Sequence, residues 1–278
     1  MNFNGSFHKT RFCFNKTKKL YNIRTMKLSI VIPCKSQSET CFSNIQKIGI
    51  PYFDSLGIDY EFLVVIDGSD EKNISLAEVW ITKFDHRVKV LPYEDKLGKG
   101  HNVKHGFLEA DGDYIMFMDA DFATDLHIME RILPVIEKHD GFIASRRCKG
   151  AKILVKQTLK RRFVSWVSRI LIRMRFHLGY SETQCGFKLF RKDLAKALAK
   201  YQIIDGFAFD VEYLYFCHLN GFDIQEVPCE WNDGEKSTIN NAAKTSMNFV
   251  GDMKRIKKNK KNYILSLEEK ESLKRKEA

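Results

Sequence analysis

Tyr114-Ile-Met-Phe-Met-Asp-Ala-Asp121 decides the reading of this chain. Five apolar or aromatic residues followed at once by two carboxylates describe a short buried strand that ends at a polar crevice. Open α/β sheets bind ligands just past the carboxyl ends of their strands. Two carboxylates spaced i, i+2 at such an end can share a hard divalent cation, which takes its remaining oxygens from a diphosphate. An isolated Asp-x-Asp is a weak signal, so the surrounding chain has to carry the argument.

Working outward, other apolar runs take strand form: Met26–Pro33, Phe62–Asp67, Val88–Leu91, Gly141–Ser145, Gly186–Arg191 and Phe222–Cys229. Helix-forming stretches separate the earlier ones, at Glu39–Leu56, Ser75–Phe84, Gly100–Ala110 and Asp125–His139. This alternation predicts an α/β fold, a mainly parallel sheet with crossover helices. Beyond Ser145 the pattern changes. Residues 154–178 read as a basic amphipathic helix, and Phe209–Leu219 as a second helix that opens with Asp210 and Glu212.

The chain has 278 residues, 44% of them hydrophobic, enough for one large α/β domain. We expect that domain over 27–258, with a basic extension over 1–26 and a charged tail over 259–278. Seven scattered cysteines without a Cys-x-x-Cys pair argue against a zinc site or disulfide framework and fit a reducing compartment. No apolar run is long enough to cross a membrane, and the N-terminus lacks the apolar core of a signal peptide.

The net charge of +11 is unevenly spread. Residues 1–27 carry seven Lys/Arg and no acid, 146–175 carry eleven and no acid, and 254–261 carry six. Such blocks point to an anionic partner. No nucleic-acid recognition motif accompanies them, and an acidic pair has no purpose in such a protein, so nucleic acid is not expected. In 154–178, apolar residues at 155, 159, 163, 166–167, 170, 174 and 178 form a stripe beside basic residues. This is the pattern of a helix lying on an anionic membrane surface or packed on a core. The Asp95-Lys-Leu-Gly-Lys-Gly-His101 loop opens a helix and reads as an anion site built from lysines and helix amides. It lacks Walker spacing.

Several ordered blocks together resemble family 2 inverting glycosyltransferases of the GT-A fold, and within them the polyprenyl-phosphate group. The blocks are Ser29-Ile-Val-Ile-Pro33, Val65-Ile-Asp67-Gly-Ser, Lys96-Leu-Gly-Lys-Gly100, Ala110–Asp121, Ala144-Ser-Arg146, Thr183-Gln-Cys-Gly-Phe-Lys-Leu-Phe190, Phe209-Asp-Val-Glu212 and Glu226-Val-Pro-Cys-Glu-Trp231. The Lys-Gly loop and the Thr183–Phe190 block look more like the dolichyl-phosphate glucosyl branch than the mannosyl one.

The resemblance implies a nucleotide-sugar donor, a polyprenyl-phosphate lipid acceptor and Mg²⁺ or Mn²⁺. It places Pro33, Gln37, Asp67, Lys96, Lys99, Asp119 and Lys236 on the donor, and Asp119 and Asp121 on the metal. Arg146, Arg161 and Ser165 fall on the acceptor phosphate, and Asp121 and Asp210 in the catalytic centre. With no apolar run long enough to span, the basic helix and the Lys254–Lys261 run predict peripheral attachment to the anionic cytoplasmic face of a membrane. The chain departs from the family pattern at Pro33-Cys-Lys-Ser-Gln37, where Pro-x-Tyr-Asn-Glu is usual, and at Ile66, Ala123 and Thr238. GDP-mannose as donor and a sugar hydroxyl as acceptor therefore stay open at this point.

Overall fold

A computed structural model describes residues 25–35, 38–67, 86–93, 97–155, 158–232 and 242–274. The described strands are β1 (Lys27–Cys34), β2 (Asp59–Asp67), β3 (Val88–Tyr93), β4 (Tyr114–Met118), β5 (Gly141–Ser145), β6 (Lys152–Ile153), β7 (Phe187–Arg191), β8 (Ile224–Pro228) and β9 (Glu230–Trp231). Seven of them form one sheet in the order β3-β2-β1-β4-β7-β5-β8. Every neighbouring pair in it is parallel except those of β7, which runs antiparallel to β4 and β5. The sheet is thus mainly parallel, as expected, with β7 its one reversed strand. β6 and β9 make a separate two-stranded ribbon.

The apolar runs read as continuous because both faces of the sheet are covered. Side chains split between the faces with period two. Leu28, Ile30 and Ile32 of β1, Phe62 and Val64 of β2, and Met116 and Met118 of β4 enter one core. Val31, Leu63, Val65, Ile115 and Phe117 enter the other.

The helices are α1 (Ser38–Asn44), α2 (Ile50–Leu56), α3 (Lys99–Glu109), α4 (Met129–Ile132), α5 (Leu159–Phe176), α6 (Lys192–Tyr201), α7 (Phe209–Asn220), α8 (Ala242–Lys258), α9 (Lys260–Tyr263) and α10 (Leu267–Ser272). The single helix expected over Glu39–Leu56 is broken by a π turn at Ile45–Gly49. That expected over Asp125–His139 is mostly 3₁₀, with only α4 in α form; Pro134 in its last section cannot donate the helical hydrogen bond. The helix expected at Ser75–Phe84 lies outside the described residues. No helix among the described residues is long and apolar enough to cross a membrane.

The core does not stop at residue 258. Tyr263 and Leu265, in the stretch expected as a charged tail, are buried in the second core. The Tyr263 hydroxyl donates to Glu212 at 2.5 Å.

Candidate active site

The sheet order places β2 on one side of β1 and β4 on the other, so the chain reverses its winding direction at β1. The carboxyl ends of β1 and β4 open there into the crevice that α/β sheets use for ligands. Pro33 lies near the end of β1, in register with Val65, and Asp67 closes β2.

β4 delivers Asp119 and Asp121 into this crevice. Its antiparallel register with β7 pairs Met118 with Phe187, which puts Gly186 across from Asp119. The Asp119 amide donates to the Gly186 carbonyl at 3.1 Å. The approach is so close that a Cβ on Gly186 would stand 1.9 Å from the Asp119 Oδ2. Glycine is required here for space. Sequence reading quoted Gly186 inside a motif but gave it no role; only the register between two distant strands reveals it.

A tight turn follows. The Phe122 amide donates to the Asp119 carbonyl at 3.1 Å, and Phe122 sits at φ 53°, in the left-handed region that a bulky side chain rarely takes. The Asp121 Oδ1 accepts from the Ala123 amide at 3.0 Å. Asn44 donates to the Ala120 carbonyl at 3.1 Å, tying the turn to α1. The Asp121 carboxyl faces solvent, but the crevice walls desolvate it and Asp119 repels its charge. Its pKa is raised above the usual carboxylate range.

Two lysines answer these acids. Lys99, first residue of α3, pairs with Asp119, and Lys188 of β7 pairs with Asp210 at the start of α7. Their ammonium groups flank the Phe117 ring, 5.6 and 5.2 Å from its centroid. Burial opposes the charge on Lys99, but the carboxylates of Asp119, Asp210 and Asp121 outweigh it and hold its pKa above the ordinary value. Burial pushes the Asp210 carboxyl up, against the pull of Lys188 and Lys99. Lys188 is buried with Asp210 and was not singled out in the sequence, where it reads as one polar residue in a strand.

The Gly-Lys loop works differently from its sequence reading. The amides of Gly100 and His101 donate to the Asp205 carbonyl at 2.8 and 3.2 Å. They are therefore not presented to an anion. A Cβ on Gly100 would meet the Ile204 carbonyl at 2.5 Å, and one on Gly98 would meet that of Asp205 at 2.7 Å. These glycines let the loop lie on the 202–206 backbone, leaving the Lys99 ammonium as the loop's contribution to the site. The 202–206 segment is itself anchored by Glu212, which accepts from the amides of Ile203 (2.8 Å) and Ile204 (3.1 Å). Burial raises the Glu212 carboxyl to about 7, against the lowering effect of these hydrogen bonds and that of Tyr263.

A second charged group lies past β5. Arg146 donates from Nε to the buried Glu182 at 2.9 Å, and its guanidinium stands 4.8 Å from the centre of the Trp231 ring. Arg169 of α5 donates to the Ser165 carbonyl at 3.4 Å. The Arg169 ionisation is perturbed by burial, then by Arg147, Glu182 and Arg146, which places the middle of α5 beside the Arg146–Arg147 turn. Gln37, Lys96 and Lys236 lie outside the described residues, as do the side chains of Asp67 and Arg161.

Among the described residues, no group of three or more His, Cys, Asp and Glu side chains is gathered around one metal position. A cation held by only two protein carboxylates fits Mg²⁺ or Mn²⁺, whose other positions go to water and phosphate oxygens. The charges agree, since three carboxylates face two ammonium groups in this cluster.

Fold and site together define an open α/β protein with an acidic ligand crevice at its topological switch point. A family model, glycosyl transferase family 2, matches residues 29–199, and the chain belongs to that family. It is similar to a dolichyl-phosphate beta-glucosyltransferase of Dictyostelium discoideum, 30% identical over 73% of this chain and 64% of that one. It is also similar to the dolichyl-phosphate beta-glucosyltransferase of Homo sapiens, 27% identical over 79% of this chain and 72% of that one. The chain thus spans less than two thirds of the first relative's length. Among solved structures it resembles glucosyl-3-phosphoglycerate synthase from Mycobacterium tuberculosis, crystallised with Mn²⁺, uridine diphosphate and phosphoglyceric acid. The TM-score is 0.63 at 17% identity, covering 89% of this chain and 84% of that one. That likeness establishes the Rossmann-like GT-A fold.

Proposed function

We propose that this chain is an inverting glycosyltransferase that moves glucose from a uridine-diphosphate sugar to a polyprenyl or dolichyl phosphate. The observation that carries this reading is the cluster at the end of β4, in which Asp119 and Asp121 are set beside Lys99 at the sheet's switch point. The named relatives supply the sugar and the acceptor class.

In the proposed reaction an oxygen of the acceptor phosphate attacks the anomeric carbon of glucose. The bond from that carbon to the donor diphosphate breaks on the opposite face, and an α-linked donor yields a β-linked product. Asp119 and Asp121 would hold Mg²⁺ or Mn²⁺, which when bound offsets charge building on the departing diphosphate. Lys99 holds the Asp119 carboxylate in place and adds positive charge beside the leaving group. Pro33 and Asp67 border the base end of the crevice, and Gln37, Lys96 and Lys236 belong to the donor side.

The acceptor needs orientation more than activation. A phosphate monoester has its second pKa near 6, so it arrives largely as a dianion. Arg146, Arg161 and Ser165 orient it. Asp210 is buried against Lys188 and acts by fixing the charge around Lys99, taking no proton. The same engagement argues against a hydroxyl acceptor, which would require a base in that position.

We assign the protein to the cytoplasmic face of a membrane, held peripherally. Leu159, Phe163, Trp166 and Met174 of α5, expected as an amphipathic stripe, are all more than half exposed and face solvent beside arginines. This is the composition of an interfacial helix.

The test is product formation. Purified protein with Mg²⁺ or Mn²⁺, uridine-diphosphate glucose and a short polyprenyl phosphate yields a glucosyl phospholipid by mass spectrometry, and Asp121→Ala abolishes it. Absence of that product under conditions where the donor binds overturns the reading.

A further inference from the structure

The acidic pair sits on a turn that cannot hold its own shape. The Phe122 amide closes it onto the Asp119 carbonyl at 3.1 Å, and Phe122 stands at φ 53°. A bulky residue in that region persists only where its surroundings over-determine it. The two acids are also held unequally. Asp119 is pinned by Lys99 and by the pairing of its amide with Gly186. The Asp121 carboxylate accepts from the Ala123 amide at 3.0 Å, a bond inside the same turn. Outside help comes from far upstream, where the Asn44 Nδ2 donates to the Ala120 carbonyl at 3.1 Å. That carbonyl belongs to the planar peptide joining Ala120 to Asp121. Its direction therefore sets the plane from which the Asp121 side chain departs.

The local helix geometry explains how Asn44 reaches the turn. Asn44 ends α1, and the chain passes directly into the π turn Ile45–Gly49. The Ile50 amide bonds the Ile45 carbonyl five residues back, where an α-helix would bond four back. Five residues of an α-helix rotate by about 500°, which would leave positions 44 and 49 about 140° apart. The wider π turn brings them onto one face, and both meet the acidic turn. Asn44 does so through its amide. Gly49, which is buried, does so through the Phe122 ring: a Cβ there would stand 3.4 Å from Phe122 Cε1 and 2.8 Å from Phe62 Cζ. The missing side chain leaves the slot that receives the Phe122 ring beside Phe62. Single π turns inside helices recur at functional sites, and this one supplies both supports of the strained turn.

We infer that Asn44 is a positioning residue for the divalent cation, orienting Asp121 through the Ala120 carbonyl, and that the π turn is the device that places it. The inference rests on the proposed assignment of Asp119 and Asp121 to Mg²⁺ or Mn²⁺. Asn44 acts through the backbone, not as a ligand, because its amide is committed to Ala120. Contacts of this kind, one step outside the ligands, set the aim of a carboxylate and are worth about 10–100-fold in metal affinity.

The test reads Mn²⁺ binding to the full chain by electron paramagnetic resonance, with uridine diphosphate present and no acceptor, so no turnover is needed. Asn44→Ala is expected to weaken Mn²⁺ at least about tenfold. The Mn²⁺ concentration that half-saturates glucosyl transfer should rise by the same factor, while kcat at saturating Mn²⁺ stays within about threefold of wild type. The melting temperature should fall by no more than about 4 °C, the effect of losing one half-buried hydrogen bond. Ser55→Ala removes a bond of the same type within α2, from the Ser55 hydroxyl to the Tyr52 carbonyl at 2.6 Å, and should leave Mn²⁺ affinity unchanged. Wild-type affinity in Asn44→Ala, with binding abolished in Asp121→Ala, overturns the inference and leaves the metal assignment standing. Equal losses in Asn44→Ala and Ser55→Ala would reduce Asn44 to a general stability contact and overturn the inference as well. Failure of the wild-type chain to bind Mn²⁺ overturns the metal assignment and the inference with it.

Discussion

Gly186→Ala isolates the geometry of the acidic pair. The new methyl would lie 1.9 Å from Asp119 Oδ2 and 2.3 Å from its Cγ, whereas ordinary contact begins near 3.4 Å. The carboxylate must retreat by about 1.5 Å, and it leaves Lys99 as it goes. A displacement of about 1 Å at a reacting centre costs on the order of 100-fold in rate, which is about 2.7 kcal/mol of barrier. Stability should hardly change. Gly186 lies outside the left-handed region, so alanine carries no backbone strain there. The partly exposed Lys99–Asp119 pair is worth at most about 1 kcal/mol, and alanine restores up to about that much by restricting the unfolded chain. The assay is kcat/KM for glucosyl transfer, with thermal melting and Mn²⁺ affinity measured on the same sample. Gly179→Ala, where a Cβ would meet nothing within 4 Å, is the control. A Gly186→Ala variant that keeps its transfer rate within about threefold of wild type refutes the claim that Asp119 is held for catalysis. So does a loss of activity that merely follows unfolding.

Lys188→Met strips the buried Asp210 of its partner and should destabilise the protein by about 3–5 kcal/mol. Addition of Asp210→Asn should recover much of that in urea melts, and no recovery would remove the pair from the account. Glu212 gives a pH signature: its folded pKa of about 7 exceeds the ordinary 4.5, so the fold binds its proton more tightly than the unfolded chain does. Its contribution is therefore complete below about pH 4.5 and is lost as pH rises through 7, by about 3 kcal/mol in all. Glu212→Gln should flatten that slope in melts from pH 4 to 8. Glu61 behaves oppositely. Although its burial raises the pKa, Ser29, Lys89, the Asp111 amide and Lys27 bring it down to about 2, so its stabilisation holds above about pH 4.5 and is lost as pH falls toward 2. Phe163→Ser with Trp166→Ser should weaken binding to anionic vesicles while leaving the melting temperature within about 2 °C, because both rings are exposed.

The parallel strands were legible because each is a short apolar run that matches a buried strand and nothing else of that length. Helix limits at α3 and α7 were close for a similar reason, since Gly98 and Gly221, both at positive φ, border them. What escaped was non-local. Nothing in Phe187–Arg191 announces that this strand runs against its neighbours, and the Gly186–Asp119 contact follows from that reversal alone. Lys188 had no role inside the Thr183–Phe190 block, because sequence does not show that Asp210, 22 positions on, is its partner. The charged residues from 254 onward masked Tyr263, whose burial depends on Glu212 on another helix. The Gly-Lys loop was misread for a related reason: its composition suits an anion, but the partner that takes its amides, the Asp205 carbonyl, carries no side-chain signature.

These non-local contacts bear on the chemistry more than the motifs do. A chain of hydrogen bonds runs from Tyr263 through Glu212 to the amides of Ile203 and Ile204, and Asp205 then receives those of Gly100 and His101. Lys99 is therefore positioned by a segment at the far end of the sequence. Asp119 is fixed from the other side by the start of β7. On the proposed reaction the donor end of the site carries the surplus of carboxylates, suited to a hard cation, while guanidinium groups gather past β5. An acceptor that enters as a phosphate dianion meets attraction at the arginine end and repulsion from bare carboxylates at the other. The donor's diphosphate and its cation must then be seated before the acceptor can approach the anomeric carbon. That sets an order of binding, donor first. Product inhibition should reveal it: uridine diphosphate competitive against the sugar nucleotide and noncompetitive against polyprenyl phosphate. Competitive inhibition against both substrates would mean random entry, and the charge separation would then have no consequence for the order of binding.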